Sequence, residues 1–498
     1  MAAAATVLNA LSALPSSCGV VGLGVMGSQL ALNLAEKLGQ PVSGFDLDAA
    51  KAEAATALGE AQGGLVVRAF TALDAFVESL ARPRKVMILV PAGKPVEAAI
   101  KGLLPLLEAG DVIADMGNEW HELTVARQKR VEPTGVIYMG VGLSGGEEGA
   151  RHGPCMMPSG PREGWELLRP LLESIAARAP ADAASSGSEP RPCVSYIGPG
   201  GSGHYVKMVH NGIEYGDMQL IAEATHFCRA AAGMSAAQLA TLLSRLSLGP
   251  LDSFLMETTA AVFRKADGAE GAAADAALVD AVRDECGSKG TGKWTIQQAA
   301  ELGVPCSTHA AALEARYLSS LKPQRGLAAA ALVDPADDAG LPLPPTWEAD
   351  LEDALLASKL CSYAQGLAHL RAASEAHGWG LRLHELGAIW RGGCIIRAKV
   401  LRLVSEAYAA EPALPNLLLS PAVASEIRVR TPGWRRFVVA ATQRGLPIPA
   451  LSASLAYYDS FRAPLLPSAQ CIQAQRDCFG GHGFQRLDVP GTFHAQWR

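Results

Sequence analysis

Short apolar runs and helical patterns alternate over the first third of the chain. The apolar runs fall at residues 18–22, 42–45, 85–90, 112–115 and 136–139. Between them lie stretches with apolar residues at helical spacing, each about as long as a crossover between parallel strands. This alternation predicts a doubly wound α/β domain built on a parallel sheet.

The pattern changes after residue 203. From there to about residue 465, long Ala/Leu-rich runs place apolar residues at helical spacing, which predicts a large all-α domain. A segment rich in Ala, Ser, Pro and Gly at about 178–192 is typical of a linker, and residues 323–346 are expected to form a loop. The last segment is polar and glycine-rich, which indicates a C-terminal tail.

Composition narrows the class of protein. The chain has 498 residues, a formal net charge of -6 and 49% hydrophobic residues, so we expect a globular protein that does not bind nucleic acid or anionic membranes. Its ten cysteines show neither a disulfide framework nor zinc-ligand spacing, which favours a reducing compartment. No apolar run reaches membrane-spanning length, and residues 1–16 lack the marks of a signal or transit peptide.

The first candidate site is a glycine turn at residues 22–27, with the sequence G-L-G-V-M-G. It follows a predicted strand and opens a predicted helix, which is the context that a dinucleotide-binding turn requires. Asp46 ends the next predicted strand, 19 residues beyond Gly27. These features are typical of a Rossmann-like domain that receives a pyrophosphate at a helix N-terminus.

The second candidate site is a polar stripe on one helix face. Lys207, His210, Asn211 and Glu214 fall at i, i+3, i+4 and i+7, and Tyr215 extends the stripe. A solvated helix face is the ordinary explanation for such a stripe, but His, Asn and interior glycines are poor choices for an exposed helix. An amine and a carboxyl group two turns apart suit acid–base chemistry on one bound molecule.

Three further segments carry weaker signals. Asn118 and the Ser144-Gly145-Gly146 turn each follow a predicted strand, at the sheet edge where α/β proteins bind ligands. A basic glycine-rich loop contains Lys289 and Thr291, and Arg316 lies on a helix; each could equally be an ordinary structural feature.

Together these segments resemble the decarboxylating 6-phosphogluconate dehydrogenases. The matching motifs are G-L-G-V-M-G (22–27), S-G-G-E-E-G-A-R-H-G-P (144–154), V-K-M-V-H-N-G-I-E-Y-G-D-M-Q-L-I (206–221), G-S-K-G-T-G-K-W (287–294), W-R-G-G-C-I-I-R (390–397) and Q-A-Q-R-D (473–477). The resemblance covers essentially everything after residue 17.

The resemblance implies a role for each matching residue. Lys207 resembles the family's general base and Glu214 its general acid. Substrate contacts are implied for Asn118, Ser144, Gly145, Gly146, His210, Asn211, Tyr215, Lys289, Thr291 and Arg316, together with Arg476 and His482 from the other subunit. Coenzyme contacts are implied for Gly22, Leu23, Gly24, Val25, Met26, Gly27, Asp46, Leu47, Asp48, Val90 and Asn118.

The resemblance also implies an organisation. We expect a flexible extension (1–17), a dinucleotide-binding domain (18–200), a helical substrate and dimerisation domain (201–464), and a tail (465–498) that reaches the partner subunit of a homodimer. The implied substrate is 6-phosphogluconate and the implied coenzyme is NADP, with no metal. A cytoplasmic location is expected, with a plastid as the alternative.

The chain departs from the family pattern in the coenzyme domain. Where the family has Asn-Arg-Thr after the second strand, this chain has Asp46, Leu47 and Asp48. The Asp46 carboxylate can accept hydrogen bonds from a ribose but repels a 2′-phosphate, which favours NAD; Lys51 with Arg82 or Arg84 could instead meet that phosphate. The family's D-G-G-N-S is D-M-G-N-E here, so Met116 and Glu119 are expected to be changes near the nicotinamide.

The leading hypothesis is oxidative decarboxylation of 6-phospho-D-gluconate to D-ribulose 5-phosphate and carbon dioxide in the oxidative pentose phosphate pathway. One alternative is a simpler β-hydroxyacid dehydrogenase, although such enzymes are shorter and lack the second helical block. Another is a catalytically lapsed homologue that acts as a binding protein, against which the presence of Lys207 and Glu214 argues.

Overall fold

The structure is a computed structural model, and it describes residues 14–179, 190–269, 273, 276–288, 290–332 and 342–498. The first domain is a seven-stranded sheet with the strand order β3-β2-β1-β4-β5-β6-β7. Neighbouring strands are parallel except for β7, which runs antiparallel to β6. The strands are β1 (Gly19–Val21), β2 (Val42–Phe45), β3 (Val67–Phe70), β4 (Lys85–Ile88), β5 (Val112–Asp115), β6 (Ile137–Ser144) and β7 (Cys155–Ser159).

Both faces of this sheet are covered, which explains why its strands are continuous apolar runs. Alternate residues enter two different cores: Met87 packs into one cluster, while its neighbours Val86 and Ile88 pack into the other. The helices of this domain are α1 (Val25–Leu38), α2 (Ala49–Ala61), α3 (Leu73–Glu78), α4 (Lys94–Leu103), α5 (His121–Val131), α6 (Gly146–His152) and α7 (Arg162–Ile175). The predicted doubly wound fold is confirmed.

The sequence pattern missed two strands and shortened a third. β3 and β7 were not predicted, and β6 continues to Ser144 although the prediction ends it at residue 139. Gly140 and Gly142 made this stretch look like a loop, since glycine is rare in strands. In the expected N-terminal extension, Ser16 donates a backbone hydrogen bond to Ser79 at 2.8 Å, so this residue contacts the sheet domain.

The second domain consists of helices. The longest are α8 (Ser202–Ala230), with 29 residues, and α15 (Trp347–His377), with 31. The others are α9 (Ala236–Leu246), α10 (Phe254–Arg264), α11 (Leu278–Ala281), α12 (Thr291–Glu301), α13 (Ser307–Ser319), α14 (Lys322–Ala331), α16 (Leu383–Ile389), α17 (Val400–Ala410), α18 (Pro421–Thr442) and α19 (Pro449–Phe461). None of the helices in the described ranges is long and apolar enough to cross a membrane.

Two predictions between elements need correction. The loop expected at 323–346 begins instead with α14, because Pro323 stands in the first turn of a helix, where its missing N–H costs nothing. Residues 333–341 lie outside the described part of the chain, as do residues 180–189 of the expected linker. At the ends of that linker, residues 178 and 192 form an antiparallel bridge.

The glycines inside α8 serve helix packing. A Cβ on Gly212 would lie 2.5 Å from Thr295 of α12, and one on Gly216 would lie 2.6 Å from Ser362 of α15. In return, Gly366 of α15 makes room for the side chain of Ile213. The glycines of α8 therefore allow two other helices to approach it closely.

The C-terminal tail has structure of its own. It forms α20 (Pro467–Gly480) and a hairpin of β8 (Phe484–Gln485) and β9 (Thr492–Phe493). Asp477 is buried between them and accepts hydrogen bonds from Gly483 N at 2.9 Å, Ala495 N at 3.1 Å and Trp497 Nε1 at 2.6 Å. The tail therefore folds around one carboxylate rather than around an apolar core.

Candidate active site

Helix α8 begins directly against the sheet, and glycines make this contact possible. A Cβ on Gly142 of β6 would lie 2.5 Å from the Cβ of Lys207. A Cβ on Gly203 would overlap the carbonyl oxygen of Met157 on β7. The absence of these side chains lets the first turns of α8 rest on the ends of β6 and β7, and so fixes Lys207 above the edge of the sheet.

A buried histidine joins α8 to the coenzyme domain. The Nδ1 atom of His204 lies 2.7 Å from the Thr124 hydroxyl, and Nε2 lies 3.1 Å from the backbone oxygen of Asp115. Burial lowers the pKa of His204. A carbonyl oxygen only accepts, so Nε2 carries the proton and Nδ1 accepts from the hydroxyl. This neutral imidazole connects α5, β5 and α8.

Lys207 is a buried amine in a polar surrounding. Only 6% of the residue is exposed, and Nζ donates to Asn211 Oδ1 at 2.6 Å and lies 3.4 Å from His210 Nδ1. Burial lowers the pKa of Lys207, although the nearby Glu214 carboxylate opposes this shift. The amine is thereby moved toward the neutral form that a general base needs.

His210 connects α8 to the turn after β6. Its Nε2 atom lies 3.1 Å from the Ser144 hydroxyl, and its ring packs edge-on against Trp390 with centroids 5.8 Å apart. Burial, reinforced by neighbouring Lys207, holds the pKa of His210 well below its usual range. On its other side, Glu214 Oε2 lies 3.8 Å from His210 Nδ1, and the Glu214 side chain is 20% exposed. The imidazole is therefore neutral and stands between the amine and the carboxylate.

The N-terminus of α12 meets this group from the other side. Asn211 Nδ2 donates to the Thr291 hydroxyl at 3.1 Å, which fixes the orientation of the Asn211 amide toward Lys207. Gly290 precedes the helix with φ +92°, a conformation that favours glycine. The predicted loop residue Thr291 is thus the first residue of a helix, so its hydroxyl lies beside the free N–H groups of the first turn.

An arginine and a tyrosine form the outer part of the pocket. The guanidinium carbon of Arg316 lies 3.5 Å from the centroid of the Tyr215 ring, and Arg316 Nη1 donates to Gly287 O at 3.4 Å. The Tyr215 hydroxyl lies 3.3 Å from Ser288 Oγ. Stacking on an aromatic ring leaves the edge of a guanidinium free to bind an anion. Lys289 lies outside the described residues.

The Ser144-Gly145-Gly146 turn is held by a segment to which the sequence assigned no role. Gly145 has φ +135°, and a Cβ there would lie 2.7 Å from the carbonyl oxygen of Gly393. Ile395 N donates to Ser144 Oγ at 3.4 Å. The paired glycines at 392 and 393 were the available signal, since they allow this segment to approach the turn closely.

The first glycine turn fits a dinucleotide. Gly22 has φ +96°, and a Cβ there would lie 2.6 Å from Leu89 O, while a Cβ on Gly27 would overlap the carbonyl oxygen of Gly22. A Cβ on Gly24 would meet nothing within 4 Å, and no side chain caps the N-terminus of α1. The turn is therefore tight on its inner side and open outside, where free N–H groups can bind a pyrophosphate.

The loop after β2 is anchored by its own carboxylates. Asp46 Oδ2 accepts from Leu23 N at 2.8 Å, and Oδ1 accepts from Asp48 N at 3.0 Å. Leu47 is 88% exposed, and Asp48 caps α2 while its carboxylate lies 3.8 Å from Lys51 Nζ. Asp46 thus connects the glycine turn to the second strand, and the nearby Lys51 already faces an acid.

The two arginines considered as substitutes face other acids. Arg84 is buried, and its Nη1 lies 3.1 Å from Asp111 Oδ2. Arg82 forms an ion pair with Glu108 at the surface. The alternative in which these residues meet a 2′-phosphate gains no support from their contacts.

The two residues after β5 that depart from the family pattern have buried side chains. Met116 is buried in a hydrophobic cluster of the sheet domain. Glu119 is also buried, and its Oε2 accepts from Arg127 Nη1 at 2.7 Å. That these side chains lie near the nicotinamide stays a prediction, and the structure adds that neither is directed to solvent. Asn118, between them, is half-buried in the same loop.

In the part of the chain that the structure describes, the hydrogen bond of Arg476 and the ring contact of His482 are made with their own segment. Arg476 Nη1 donates to Gln473 at 3.0 Å, and the His482 ring packs against Phe479 with centroids 6.2 Å apart. Among the described residues, the side-chain hydrogen bonds of 467–498 connect tail residues to one another.

Comparison with known proteins agrees with this geometry. Residues 17–198 match the family described as the NAD binding domain of 6-phosphogluconate dehydrogenase, and residues 203–497 match its C-terminal domain. This chain belongs to the 6-phosphogluconate dehydrogenase family. The resemblance read from the motifs is confirmed.

Named relatives of the 6-phosphogluconate dehydrogenase family align over nearly the whole chain. A rice protein, "6-phosphogluconate dehydrogenase, decarboxylating 2, chloroplastic", is 46% identical over 97% of this chain and 94% of its own length. A Synechococcus elongatus relative is 47% identical over 96% and 98%. A solved structure of the Plasmodium falciparum enzyme, studied apo, with its cofactor NADP+ and with its substrate 6-phosphogluconate, superposes with a TM-score of 0.87 at 38% identity, covering 97% of this chain and 100% of that one.

In this member of the 6-phosphogluconate dehydrogenase family, the structure brings seven of the predicted catalytic and substrate residues into two connected groups. One hydrogen-bonded group contains Ser144, Lys207, His210, Asn211 and Thr291. Tyr215 and Arg316 form a second group, and the tail residues stay apart from both within one chain. Over the described ranges, no set of three or more His, Cys, Asp or Glu side chains is arranged to hold a metal ion.

Proposed function

We propose that this protein oxidatively decarboxylates 6-phospho-D-gluconate to D-ribulose 5-phosphate and carbon dioxide, with reduction of a nicotinamide coenzyme. The observation that carries the proposal is the buried amine of Lys207, which is held by Asn211 at 2.6 Å and has a pKa lowered by burial. Glu214 follows two turns later on the same helix. Family membership, and the substrate named for the Plasmodium falciparum relative, support the choice of substrate.

Lys207 acts first as a base. In its neutral form it accepts the proton of the substrate's C3 hydroxyl while the C3–H bond breaks. The amide of Asn211 orients Nζ for this transfer, and Thr291 in turn orients the amide. His210 stays neutral, because burial holds its pKa well below the usual range, and so it adds no charge that would compete for the substrate carboxylate.

Lys207 then acts as an acid. Its ammonium stands beside the new C3 carbonyl oxygen and stabilises the negative charge that develops as carbon dioxide leaves. Glu214 donates a proton to the enediol carbon that becomes C1 of the product. The Glu214 side chain, 20% exposed, can exchange its proton with solvent between turnovers.

The coenzyme would be held by the glycine turn at residues 22–27 and by Val90 and Asn118. The open space around Gly24 and the uncapped N-terminus of α1 support this assignment. When bound there, the coenzyme supplies the acceptor for the C3 hydride.

The sugar phosphate would be bound at the outer end of the pocket. Arg316 stacks on Tyr215 with its guanidinium carbon 3.5 Å from the ring centroid. Its two Nη atoms donate long bonds of 3.4 Å to a backbone oxygen and to a methionine sulfur, and a phosphate would replace these weak partners. The first turn of α12, which starts at Thr291, adds free N–H groups and the positive end of a helix dipole. Lys289 and the partner subunit's tail complete this proposed phosphate site.

For the coenzyme we infer that NAD serves at least as well as NADP. A carboxylate has about four lone-pair sites, so Asp46 can accept from ribose hydroxyls while keeping its bonds to Leu23 N and Asp48 N. The same carboxylate repels a 2′-phosphate, and the exposed Leu47 offers no charge to offset that repulsion. The NADP+ named for the Plasmodium falciparum relative is the competing expectation.

We also infer a homodimer with exchanged tails. The tail exposes apolar side chains that its own fold does not cover, since Phe479 is 75% and Leu487 83% exposed. A surface of this kind favours contact with another protein surface. Arg476 and His482, which make few contacts within the chain, would then complete the partner's phosphate site.

For location, the cytoplasm remains the proposal, with a plastid as the alternative. The rice relative that carries the name chloroplastic supports the alternative. Imaging of the full-length chain fused at its C-terminus to a fluorescent protein would decide between the two.

The test is an absorbance assay of coenzyme reduction with 6-phosphogluconate, run separately with NAD and NADP. We expect turnover with at least one coenzyme and release of carbon dioxide in equal amount. The same assay with a 3-hydroxy acid that lacks the phosphate tests the simpler dehydrogenase. A folded protein that reduces neither coenzyme with either substrate would exclude the proposal and favour a lapsed homologue.

A further inference from the structure

A buried ionic network lies beneath two loops of the coenzyme domain. Its centre is Arg127 of α5, a residue that is 1% exposed. Arg127 Nη1 donates to Glu119 Oε2 at 2.7 Å and to Asp115 Oδ2 at 3.2 Å, and Nε donates to Glu97 at 2.7 Å. Nη2 donates to the backbone oxygen of Gly93 at 3.3 Å. One guanidinium therefore bonds to the loop after β4 and to the loop after β5.

Glu119 makes the second connection between these loops. Its Oε2 accepts from the backbone N–H of Gly93 at 2.9 Å, and Oε1 accepts from Trp120 N at 2.8 Å. Gly93 has φ +81°, so the chain there takes a conformation that few other residues adopt. The carboxylate thus holds the end of one loop against the start of the next helix.

The two loops carry the residues expected to hold the nicotinamide end of the coenzyme. Val90 begins the first loop, and Asn118 immediately precedes Glu119 in the second. Val90 also touches the glycine turn, because a Cβ on Gly22 would lie 2.8 Å from Val90 Cγ1. A Cβ on Gly117 would lie 3.4 Å from Val90 O, so the two loops are in close contact.

Removing the Glu119 carboxylate would leave strong donors without acceptors. The partly buried N–H groups of Gly93 and Trp120 would lose their acceptors, and Arg127 would lose its shortest bond to this loop. A donor that loses its acceptor away from bulk solvent is unfavourable, so the loops would move to find new partners.

We propose that Glu119 is a positioning residue for the coenzyme: its buried carboxylate clamps the loop of Val90 to the loop of Asn118 and sets their spacing. This inference rests on the proposed function, and it assigns Glu119 no contact with the substrate or the coenzyme. In this proposal Glu119 affects the nicotinamide end of the site through the spacing of the two loops and not by direct contact.

The test is calorimetric titration of folded Glu119→Gln with NAD and with NADP in the absence of substrate, and separately with 6-phosphogluconate. The amide keeps the volume of the side chain but removes the charge that faces Arg127. Its N–H group also faces a donor in either orientation, Trp120 N in one and Gly93 N in the other, so the clamp is weakened. We expect the dissociation constant of the preferred coenzyme to rise about tenfold, while that of 6-phosphogluconate stays unchanged. Glu122→Gln is the matched control, since Glu122 is exposed three residues further along and should change neither constant.

An unchanged coenzyme constant in Glu119→Gln would overturn the inference, and so would an equal loss of substrate affinity, which would indicate general loosening. If Glu119→Gln does not fold, Glu119→Asp serves instead, because it keeps the charge but withdraws it by one methylene; a coenzyme constant equal to that of the wild type would then overturn the inference. The titration needs no turnover. A wild-type protein that binds coenzyme but does not oxidise 6-phosphogluconate would therefore remove the proposed function and leave the role of Glu119 to be decided.

Discussion

The pocket on α8 and the loop after β2 differ in how strongly packing restricts their residues. Around Lys207, a Cβ added to the glycines of β6 or of α8 would overlap neighbouring atoms. These glycines therefore cannot be replaced unless a neighbour moves. In the loop after β2, Leu47 is 88% exposed and the backbone is held by carboxylate caps that many sequences can supply. Packing thus constrains the residues proposed for the chemistry, whereas it leaves free the side chains proposed to set coenzyme choice.

The largest effect is expected at Lys207. Lys207→Ala removes the base and the later acid in one step, so turnover should fall by about 10³-fold or more. Coenzyme affinity should not change, because the side chain lies on α8, away from the glycine turn. Steady-state rates and coenzyme titration measure the two quantities. A variant with near-normal turnover would show that the packed pocket is not the site of the chemistry.

The loop after β2 should be changeable without damage to the pocket. The double variant Asp46→Asn with Leu47→Arg removes one repelling charge and supplies a guanidinium for a 2′-phosphate. We expect the ratio of kcat/KM for NADP to that for NAD to rise about 30- to 1,000-fold, equivalent to roughly 2–4 kcal/mol.

The KM for 6-phosphogluconate at saturating coenzyme is the control in this experiment and should stay constant. Before any change, the wild type should use NAD at least as well as NADP. A wild-type preference for NADP above about tenfold would show that loop geometry, rather than the residue at 46, sets the choice.

Removal of the tail tests whether the pocket is complete in one chain. Deletion from about residue 465 onward should raise the KM for 6-phosphogluconate about tenfold or more and weaken dimerisation, since a phosphate loses a bidentate partner. Arg476→Ala in the full chain should raise KM but leave the dimer intact. Sedimentation and kinetics on both variants separate the two effects; a truncated dimer with unchanged KM would reduce the tail to a surface appendage.

The smallest effect concerns a second carboxylate on the same helix. Glu223 accepts from Ala450 N at 2.8 Å and Leu451 N at 2.9 Å, and burial raises its pKa to about 7. A raised folded-state pKa stabilises the fold below the unfolded pKa of 4.5, and this contribution is lost as pH rises toward 7. The free energy of unfolding should fall by about 1 kcal/mol per pH unit in this window.

The variant Glu223→Gln should remove this part of the pH dependence and leave turnover unchanged. Urea denaturation at several pH values, with the wild type in parallel, measures it. An unaltered pH profile would mean that the carboxylate titrates near its ordinary value. Burial of Glu223 on α8 would then not be sufficient to raise the pKa of its carboxyl group.

Helical spacing was enough to predict which polar side chains of α8 lie together. Lys207, His210 and Asn211 were expected on one face, and they are joined by hydrogen bonds because a regular helix fixes their relative positions. The doubly wound fold class was predicted from the continuous apolar runs that alternate with helical patterns, since strands buried on both faces have this composition.

What the sequence did not predict depends on contacts between distant segments. Gly140 and Gly142 suggest a loop until the helix that lies on them is known. Glu119 looks like a change in the coenzyme site until Arg127, eight residues later, is seen to hold it. In each case the residue is explained by a contact with a distant segment of the chain. Only the folded structure shows which segment that is.

The close contact between Gly142 and Lys207 also constrains how this lineage can evolve. A single methyl group at position 142 would lie 2.5 Å from the Cβ of Lys207 and 2.8 Å from the backbone oxygen of Gly203, so α8 would have to move away from the sheet. In a deep mutational scan, position 142 should accept nothing but glycine, while most substitutions at exposed Leu47 should survive. If the proposed roles hold, sequence change can alter the coenzyme loop, whereas the height of Lys207 above the sheet is fixed by the glycine at position 142.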